Sequence, residues 1–243
     1  MTDHDVAARL ATAAGKLLLD VRAELVDATE AERKAAGDKR SHEFLVDALA
    51  AERPNDAVLS EEGSDNPIRL SAERVWIVDP LDGTREFSEL GRDDWAVHVA
   101  LWQSGELVAG AVALPAQGIT LATPTVSAPP AAPAKPRIVV SRSRPPAVAL
   151  DVCAALDGVL VEMGSAGAKA ASVVQGGSDV YVHAGGQYEW DSAAPVAVAR
   201  AAGLHTSRID GSPLIYNQRD PLLPDLVICR PELAEAVLAV TAG

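Results

Sequence analysis

Asp79-Pro80-Leu81-Asp82-Gly83-Thr84 gathers the groups that metal-assisted phosphate chemistry requires. Two carboxylates three residues apart can face one point in a tight turn, with the Leu81 carbonyl between them as a third oxygen. Hard oxygen donors at this spacing suit Mg2+. Pro80 fixes φ and stiffens the turn, and Gly83 lets a ligand approach the backbone closely. Thr84 supplies a hydroxyl where a helix begins, and the free N–H groups of a first helical turn can hold a phosphate. By composition alone, an Asp-capped turn accounts for the hexapeptide equally well. Two further segments bear on the choice. Glu61-Glu62 follows a short apolar run, although exposed acid pairs are common. Trp190-Asp191-Ser192-Ala193-Ala194-Pro195 opens an Ala-rich stretch, where Asp191 serves either as a helix N-cap or as a remote metal ligand.

These groups need elements to carry them. Residues 5–25 place Val6, Leu10, Leu17, Leu18 and Val21 at helical spacing. Residues 27–37 are polar without a clear period and read as a loop, and a second helix is expected from near Asp38 to the Pro54-Asn55 turn. Ala57–Ser60 and Arg74–Val78 read as strands that end in Glu61 and Asp79, and ligand sites in sheets commonly lie at such carboxyl ends. Trp95–Trp102 and Leu107–Leu114 read as strands joined by a Ser104-Gly105 turn. The proline-rich segment 123–136 is a linker candidate, dividing the chain into an N-terminal α+β lobe, 1–135, and a C-terminal α/β lobe, 136–243. A long surface loop within one lobe is the other reading. Beyond it, strands are expected at 137–140, 180–182 and 226–229, and helices at 147–156, 167–174, 191–202 and 231–240.

Composition narrows the function classes. The 243 residues are 48% hydrophobic and 23% charged, as in a folded globular chain, and only 4% aromatic, so the core must be aliphatic. A net charge of −13 disfavours nucleic-acid polymers and anionic membranes. A small anionic substrate needs cations that reverse the field locally, which metal on an acidic cluster would do. Cys153 and Cys229 lack a C-x-x-C spacing and read as buried free thiols. The polar, acidic start is unlike a signal peptide, and no apolar run approaches the ~20 residues of a membrane span, so a cytoplasmic enzyme is expected.

The turn at 79–84, Ser60-Glu61-Glu62 before it and Trp190-Asp191-Ser192-Ala193-Ala194 after it together resemble the signatures of the inositol monophosphatase superfamily, in the family's order and over essentially the whole chain. Three weaker segments resemble its CysQ branch, the 3′(2′),5′-bisphosphate nucleotidases. These are Ser141-Arg142-Ser143-Arg144 (with Arg144 where that branch has His), Gly164-Ser165-Ala166-Gly167-Ala168-Lys169, and Gly211-Ser212-Pro213-Leu214-Ile215-Tyr216-Asn217. The resemblance implies a layered α-β-α-β-α sandwich of the sugar-phosphatase type. It implies metal binding by Glu61, Asp79, the Leu81 carbonyl, Asp82 and Asp191, with two or three Mg2+ per site. Asp38 corresponds to the family's acid partner of Thr84, although Ala35-Ala36-Gly37 precedes it where the family usually carries a threonine.

The implied mechanism has Mg2+ neutralise a phosphate ester dianion and lower the pKa of a water. Thr84, hydrogen-bonded to Asp38, would orient that water and pass on its proton. Gly83, Thr84, Arg85, Ser141, Arg142, Ser143, Ser165 and Lys169 are the candidate substrate contacts, while Arg142 and Arg144 also read as a solvated loop before Pro145-Pro146. The expected substrate is adenosine 3′,5′-bisphosphate, the by-product of sulfate activation and sulfotransfer, with sensitivity to lithium and a possible homodimer also implied. Inositol monophosphate or fructose 1,6-bisphosphate would use the same metal set. A metal- or nucleotide-sensing protein on a dead phosphatase fold is the reading from another class, against which Thr84 argues. His98 reads as a packed or surface histidine. Ser60 lacks a G-x-S-x-G elbow and is set aside as a nucleophile.

Overall fold

A computed structural model describes residues 1–242. Helices α1 (Asp3–Glu24) and α2 (Glu30–Glu52) precede strands β1 (Ala57–Ser60) and β2 (Arg74–Asp82), the short helix α3 (Thr84–Ser88), and strands β3 (Ala96–Gln103), β4 (Glu106–Leu114) and β5 (Ile119–Ala122). The five strands form one sheet in sequence order, with β1 parallel to β2 and the other pairs antiparallel. After the proline-rich connection come β6 (Arg137–Ser141), α4 (Ala147–Ala155), β7 (Val159–Met163), α5 (Ala166–Val174), β8 (Val180–Ala184), α6 (Glu189–Ala201), β9 (His205–Ser207), β10 (Asp225–Cys229) and α7 (Ala234–Thr241). These strands build a second sheet in the order β7-β6-β8-β10-β9.

Strand alternation sets the layers. On β2, Trp76 and Val78 face a core with Val6, Leu10 and Leu18 of α1 and Leu45 and Leu49 of α2. Val75 and Ile77 face the opposite way, toward α5 and α6, whose far sides meet Val139, Tyr181 and Ile228 of the second sheet. The outer face of that sheet, including Ile138, Val182 and Val227, is covered by α4 and α7. The result is the α-β-α-β-α sandwich. Its middle layer explains the composition, because a helix between two sheets must be apolar all round. Every residue of α5 is buried. Small side chains let the layers close: a Cβ at Gly110 of β4 would stand 2.6 Å from the Ala197 Cβ of α6.

The expected loop at 27–37 is corrected, since α2 already begins at Glu30. Its N-terminus is a capping box in which Thr29 and Glu32 satisfy each other's backbone N–H groups. The period is hidden because the buried positions of this first half are Arg33 and Gly37. Arg33 Nε donates to the Ser88 carbonyl at 2.9 Å, and a Cβ at Gly37 would stand 2.7 Å from the Phe87 ring. Asp38 is therefore mid-helix rather than a helix start. Strands β5, β7 and β9 were not expected. All three are sheet edges with few buried side chains, so no alternation marks them. Asp191 is the third residue of α6 rather than its cap. Both cysteines are free, but only Cys229 is buried and Cys153 is partly exposed. No helix among the described residues is long and apolar enough to cross a membrane.

Candidate active site

Parallel pairing of β1 with β2 places Ser60 beside Val78, so the strands deliver Glu61 and Asp79 side by side. Pairing of β2 with β3 shifts register between Asp79 and Asp82, and this irregularity turns the 79–82 segment out of the ladder. Gly83 then adopts φ +83°, a left-handed conformation that any Cβ would strain, and starts α3 at Thr84. From the middle layer, α6 brings in Asp191. Asp79, Asp82 and Asp191 each offer one carboxylate oxygen, and these three oxygens lie within 4.8 Å of one another.

Other groups fix their orientation. The Leu81 N–H donates to Asp79 Oδ1 at 3.0 Å, and the Tyr188 N–H donates to Asp191 Oδ2 at 2.7 Å. Asp82 accepts from the Ala166 and Gly167 N–H groups at the start of α5, at 3.1 and 2.6 Å, and from the Ser165 hydroxyl. Thr84 Oγ1 lies 3.1 Å from the Leu81 carbonyl and 3.3 Å from Asp38 Oδ1, so its single proton is shared between them. His98, fully buried on β3, donates through Nδ1 to the Trp190 carbonyl at 3.0 Å and turns Nε2 toward Asp82 Oδ2 at 3.3 Å.

The electrostatics show what this cluster lacks. Burial and the facing Glu61, Asp82 and Asp191 carboxylates push Asp79 well above the usual carboxylate range. Glu61 stands at the exposed rim, but its carboxyl group faces the packed acids; desolvation and Asp191 push it up to about 7. Burial and Asp82 push Asp191 to about 6. Burial, with Glu62, likewise raises Asp38 to about 6, while the Thr84 hydrogen bond opposes it. Burial alone would also raise Asp82, but His98, Ser165 and Lys169 outweigh it and hold its carboxyl low. Burial pushes His98 down, and Asp82 more than restores it. Converging hard oxygens that repel one another in a desolvated site fit a divalent cation, which would relieve that repulsion.

This fit sets a sign for stability against pH. Without cation, Glu61, Asp191 and Asp38 hold protons that the unfolded chain has released by about pH 5. The native state is then the more protonated one, so stability falls as pH rises through about 5 to 7. His98 adds the same sign, and Asp82 is ionised in both states throughout. Chelator-treated protein is expected to melt several degrees lower at pH 8 than at pH 5, with saturating Mg2+ removing part of the difference and Glu189, which burial away from the acids raises to about 7, keeping the rest. A metal-free melting temperature that rises over this range contradicts the site's electrostatics.

Beside the acids opens a cavity of about 430 Å³, lined by Asp82, Gly83, Arg85, Ser141, Ser143, Arg144, Ser165, Lys169 and Asp191 among others. It shares Ser141, Arg144, Lys169 and Gln187 with an adjoining cavity of about 270 Å³ that reaches His183. Of the sequence-predicted substrate contacts, Thr84 and Arg142 do not line either cavity. The Arg142 guanidinium is tied to Glu86 at 2.9 Å and Glu89 at 3.1 Å, bracing α3 against the end of β6. Arg144, two residues on, takes the cavity wall. Lys169 lines the cavity but is buried, donating to the Gly164 and Ser165 carbonyls at 3.3 and 2.6 Å. Arg85 is exposed and paired with Glu89 at 3.0 Å. Sequence reading singled out neither Arg144 nor Gln187 as a wall residue, nor His98 as a neighbour of the acids. Strand parity does put His98 on the face of Ala96 and Ala100, the face that meets α6.

Known proteins share this fold and much of this sequence. The model of the inositol monophosphatase family matches residues 2–128 and 137–242, breaking at the proline-rich connection. The 3′-phosphoadenosine 5′-phosphate phosphatase of Mycobacterium bovis is 54% identical over 94% of this chain and 89% of its own. The 3′(2′),5′-bisphosphate nucleotidase CysQ of Escherichia coli K12 is 32% identical over 77% of this chain and 81% of its own. The crystal structure of CysQ from Bacteroides thetaiotaomicron superposes with a TM-score of 0.77 at 28% identity, covering 93% of this chain and 96% of that one. A five-layer fold, acids from a strand of the first sheet and a helix of the middle layer meeting at one point, and a family match over nearly the full length have one common explanation: the chain belongs to the inositol monophosphatase family.

Proposed function

We propose that this chain is a Mg2+-dependent phosphomonoesterase that removes the 3′-phosphate of adenosine 3′,5′-bisphosphate. The observation that carries the reading is the convergence of Asp79, Asp82 and Asp191 near Thr84 and Asp38, with Asp82 and Asp191 lining a cavity that Arg85, Arg144 and Lys169 also line. Identity of 54% to a phosphatase named for this same compound supports the substrate.

Glu61, Asp79, the Leu81 carbonyl, Asp82 and Asp191 would hold the metal. When bound, Mg2+ supplies neutralisation of the ester dianion and acidification of a water. The chain's own residues do the rest. Thr84 Oγ1 accepts a proton from the attacking water and hands its own to Asp38 Oδ1, the carboxylate that faces it. The N–H groups that open α3 hold the transferred phosphoryl oxygens. Ser165 and the α5 N-terminus keep Asp82 from rotating, since three of their donors converge on it. Positioning and charge neutralisation then carry most of the catalysis. The proline-rich connection divides a lobe of residues 1–135 with most of the acids from a lobe of residues 136–243 that brings Asp191 and the cavity wall. The chain works as a cytoplasmic enzyme on a small anionic substrate, and lithium is expected to compete at its metal site.

The second phosphate lies along the wall formed by Ser141, Ser143, Arg144 and Lys169. Arg144 has no carboxylate partner within ion-pair distance among the described residues, whereas Arg142 has two. Arg144→Ala is therefore expected to raise KM for adenosine 3′,5′-bisphosphate by about tenfold or more, the scale of one charge-assisted phosphate contact. It should leave KM for 3′-AMP nearly unchanged. Equal effects on both substrates, or none on the bisphosphate, overturn this placement of the second phosphate.

A further inference from the structure

From its contacts, we infer that His98 is a positioning residue that sets the spacing of the metal-binding carboxylates without itself touching metal or substrate. The inference rests on the metal-site part of the functional reading and is independent of which phosphate ester is cleaved.

His98 sits directly opposite Asp79 in the β2–β3 pairing and is completely buried. One ring touches the surroundings of all three converging acids. Nδ1 donates to the Trp190 carbonyl, the residue before Asp191, at 3.0 Å. Nε2 is 3.3 Å from Asp82 Oδ2, and Nδ1 is 4.0 Å from Asp79 Oδ2. Asp79 and Asp82 belong to the first sheet, whereas Asp191 arrives on a helix of the middle layer. In this cluster the imidazole joins the first sheet to α6, as the Ser165 hydroxyl joins it to α5. Nε2 lies off the line that a good hydrogen bond to Asp82 requires and has no other partner. The ring is thus held from the Trp190 side and pressed against Asp82.

The space for it is reserved by a glycine. A Cβ on Gly167 would stand 2.0 Å from Nε2, closer than any contact a structure tolerates. Gly167 also donates its N–H to Asp82 Oδ2 at 2.6 Å. Ring, glycine and carboxylate therefore form one packed unit, and a change in the ring must move either Asp82 or the start of α6. Partners of this kind behind metal ligands are worth about 10- to 100-fold in metal affinity.

The test is calorimetric titration of the whole chain, free of substrate, with Mg2+ and with Mn2+. His98→Leu keeps the volume and removes both polar contacts. It is expected to weaken metal binding by about tenfold or more, while KM for the nucleotide at saturating metal stays within about threefold of wild type. His98→Asn retains a donor near the Nδ1 position and should recover part of the loss. A folded His98→Leu protein whose metal affinity is within twofold of wild type overturns the inference. Should that variant not fold, a second pair decides. Gly167→Ala is expected to weaken metal binding in the native background and to have little further effect beside His98→Ala, where the methyl enters vacated space. An equal effect in both backgrounds also overturns it. Failure of the wild-type chain to bind either cation would instead remove the functional reading beneath it. A wrong choice of substrate would leave these titrations unchanged.

Discussion

Asp79→Asn is expected to abolish Mg2+-dependent phosphate release and, at the same time, to raise the melting temperature of the metal-free protein. Both effects follow from one position. Asp79 is fully buried and faces Glu61, Asp82 and Asp191, with no Lys or Arg paired to it among the described residues. Its ionised form is tolerable only when a cation shares the site. An amide keeps the shape and still accepts the Leu81 N–H through Oδ1, yet is neutral at every pH and has no proton to hold against the unfolded chain. The apo fold gains at pH 8 because the native state no longer has to take up a proton that the unfolded chain has released. Catalysis fails because the amide binds a hard cation far less well; a loss in kcat/KM of about 10³ or more is expected, on the scale of removing a transition-state electrostatic contact. Differential scanning calorimetry at pH 8 with and without Mg2+, beside a phosphate-release assay, reads both. A variant that is active, or one less stable than wild type without metal, contradicts this description of Asp79. Asp82→Asn is the less clean experiment, because its amide would face the Ala166 and Gly167 N–H groups with a donor of its own.

Thr84→Val should lower kcat by about 10² to 10³, the range of a positioned proton-transfer group, while KM at saturating Mg2+ changes little. Valine preserves the volume and the start of α3. It loses the hydroxyl that lies between Asp38 and the Leu81 carbonyl. Because that hydrogen bond holds Asp38 down, its loss should also move the acid limb of the kcat profile to higher pH in whatever activity remains. Thr84→Ser, which keeps the hydroxyl, is expected to recover most of the rate. Loss confined to KM, or no rescue by serine, points to a packing role for Thr84.

The proximity of the acids was legible in the sequence because it depends on short-range order. Asp79 and Asp82 share one turn, and Glu61 ends a strand parallel to the one that ends in Asp79. Asp191 was placed by resemblance, since nothing local connects it with residues more than a hundred positions earlier. The start of α2 was missed although Thr29 and Glu32 announce it. Arg33 and Gly37 occupy its buried stripe, and neither scores as apolar. The edge strands escaped because half-exposed segments carry no alternation. Arg142 and Arg144 are equivalent in sequence, and only the positions of Glu86 and Glu89 decide which is consumed by ion pairs and which faces the cavity. His98 is a similar case. Its parity on β3 is readable, but its relation to Trp190 depends on how α6 packs on the first sheet.

The most direct test of the whole account is a side-by-side phosphate-release assay of the intact chain with Mg2+. The substrates are adenosine 3′,5′-bisphosphate, inositol 1-phosphate and fructose 1,6-bisphosphate, with chelator controls. The account expects kcat/KM for the bisphosphate to exceed both sugar phosphates by at least about tenfold, roughly 1.4 kcal/mol of transition-state preference, and all activity to vanish with chelator. Faster turnover of either sugar phosphate, or release that survives metal removal, would contradict it.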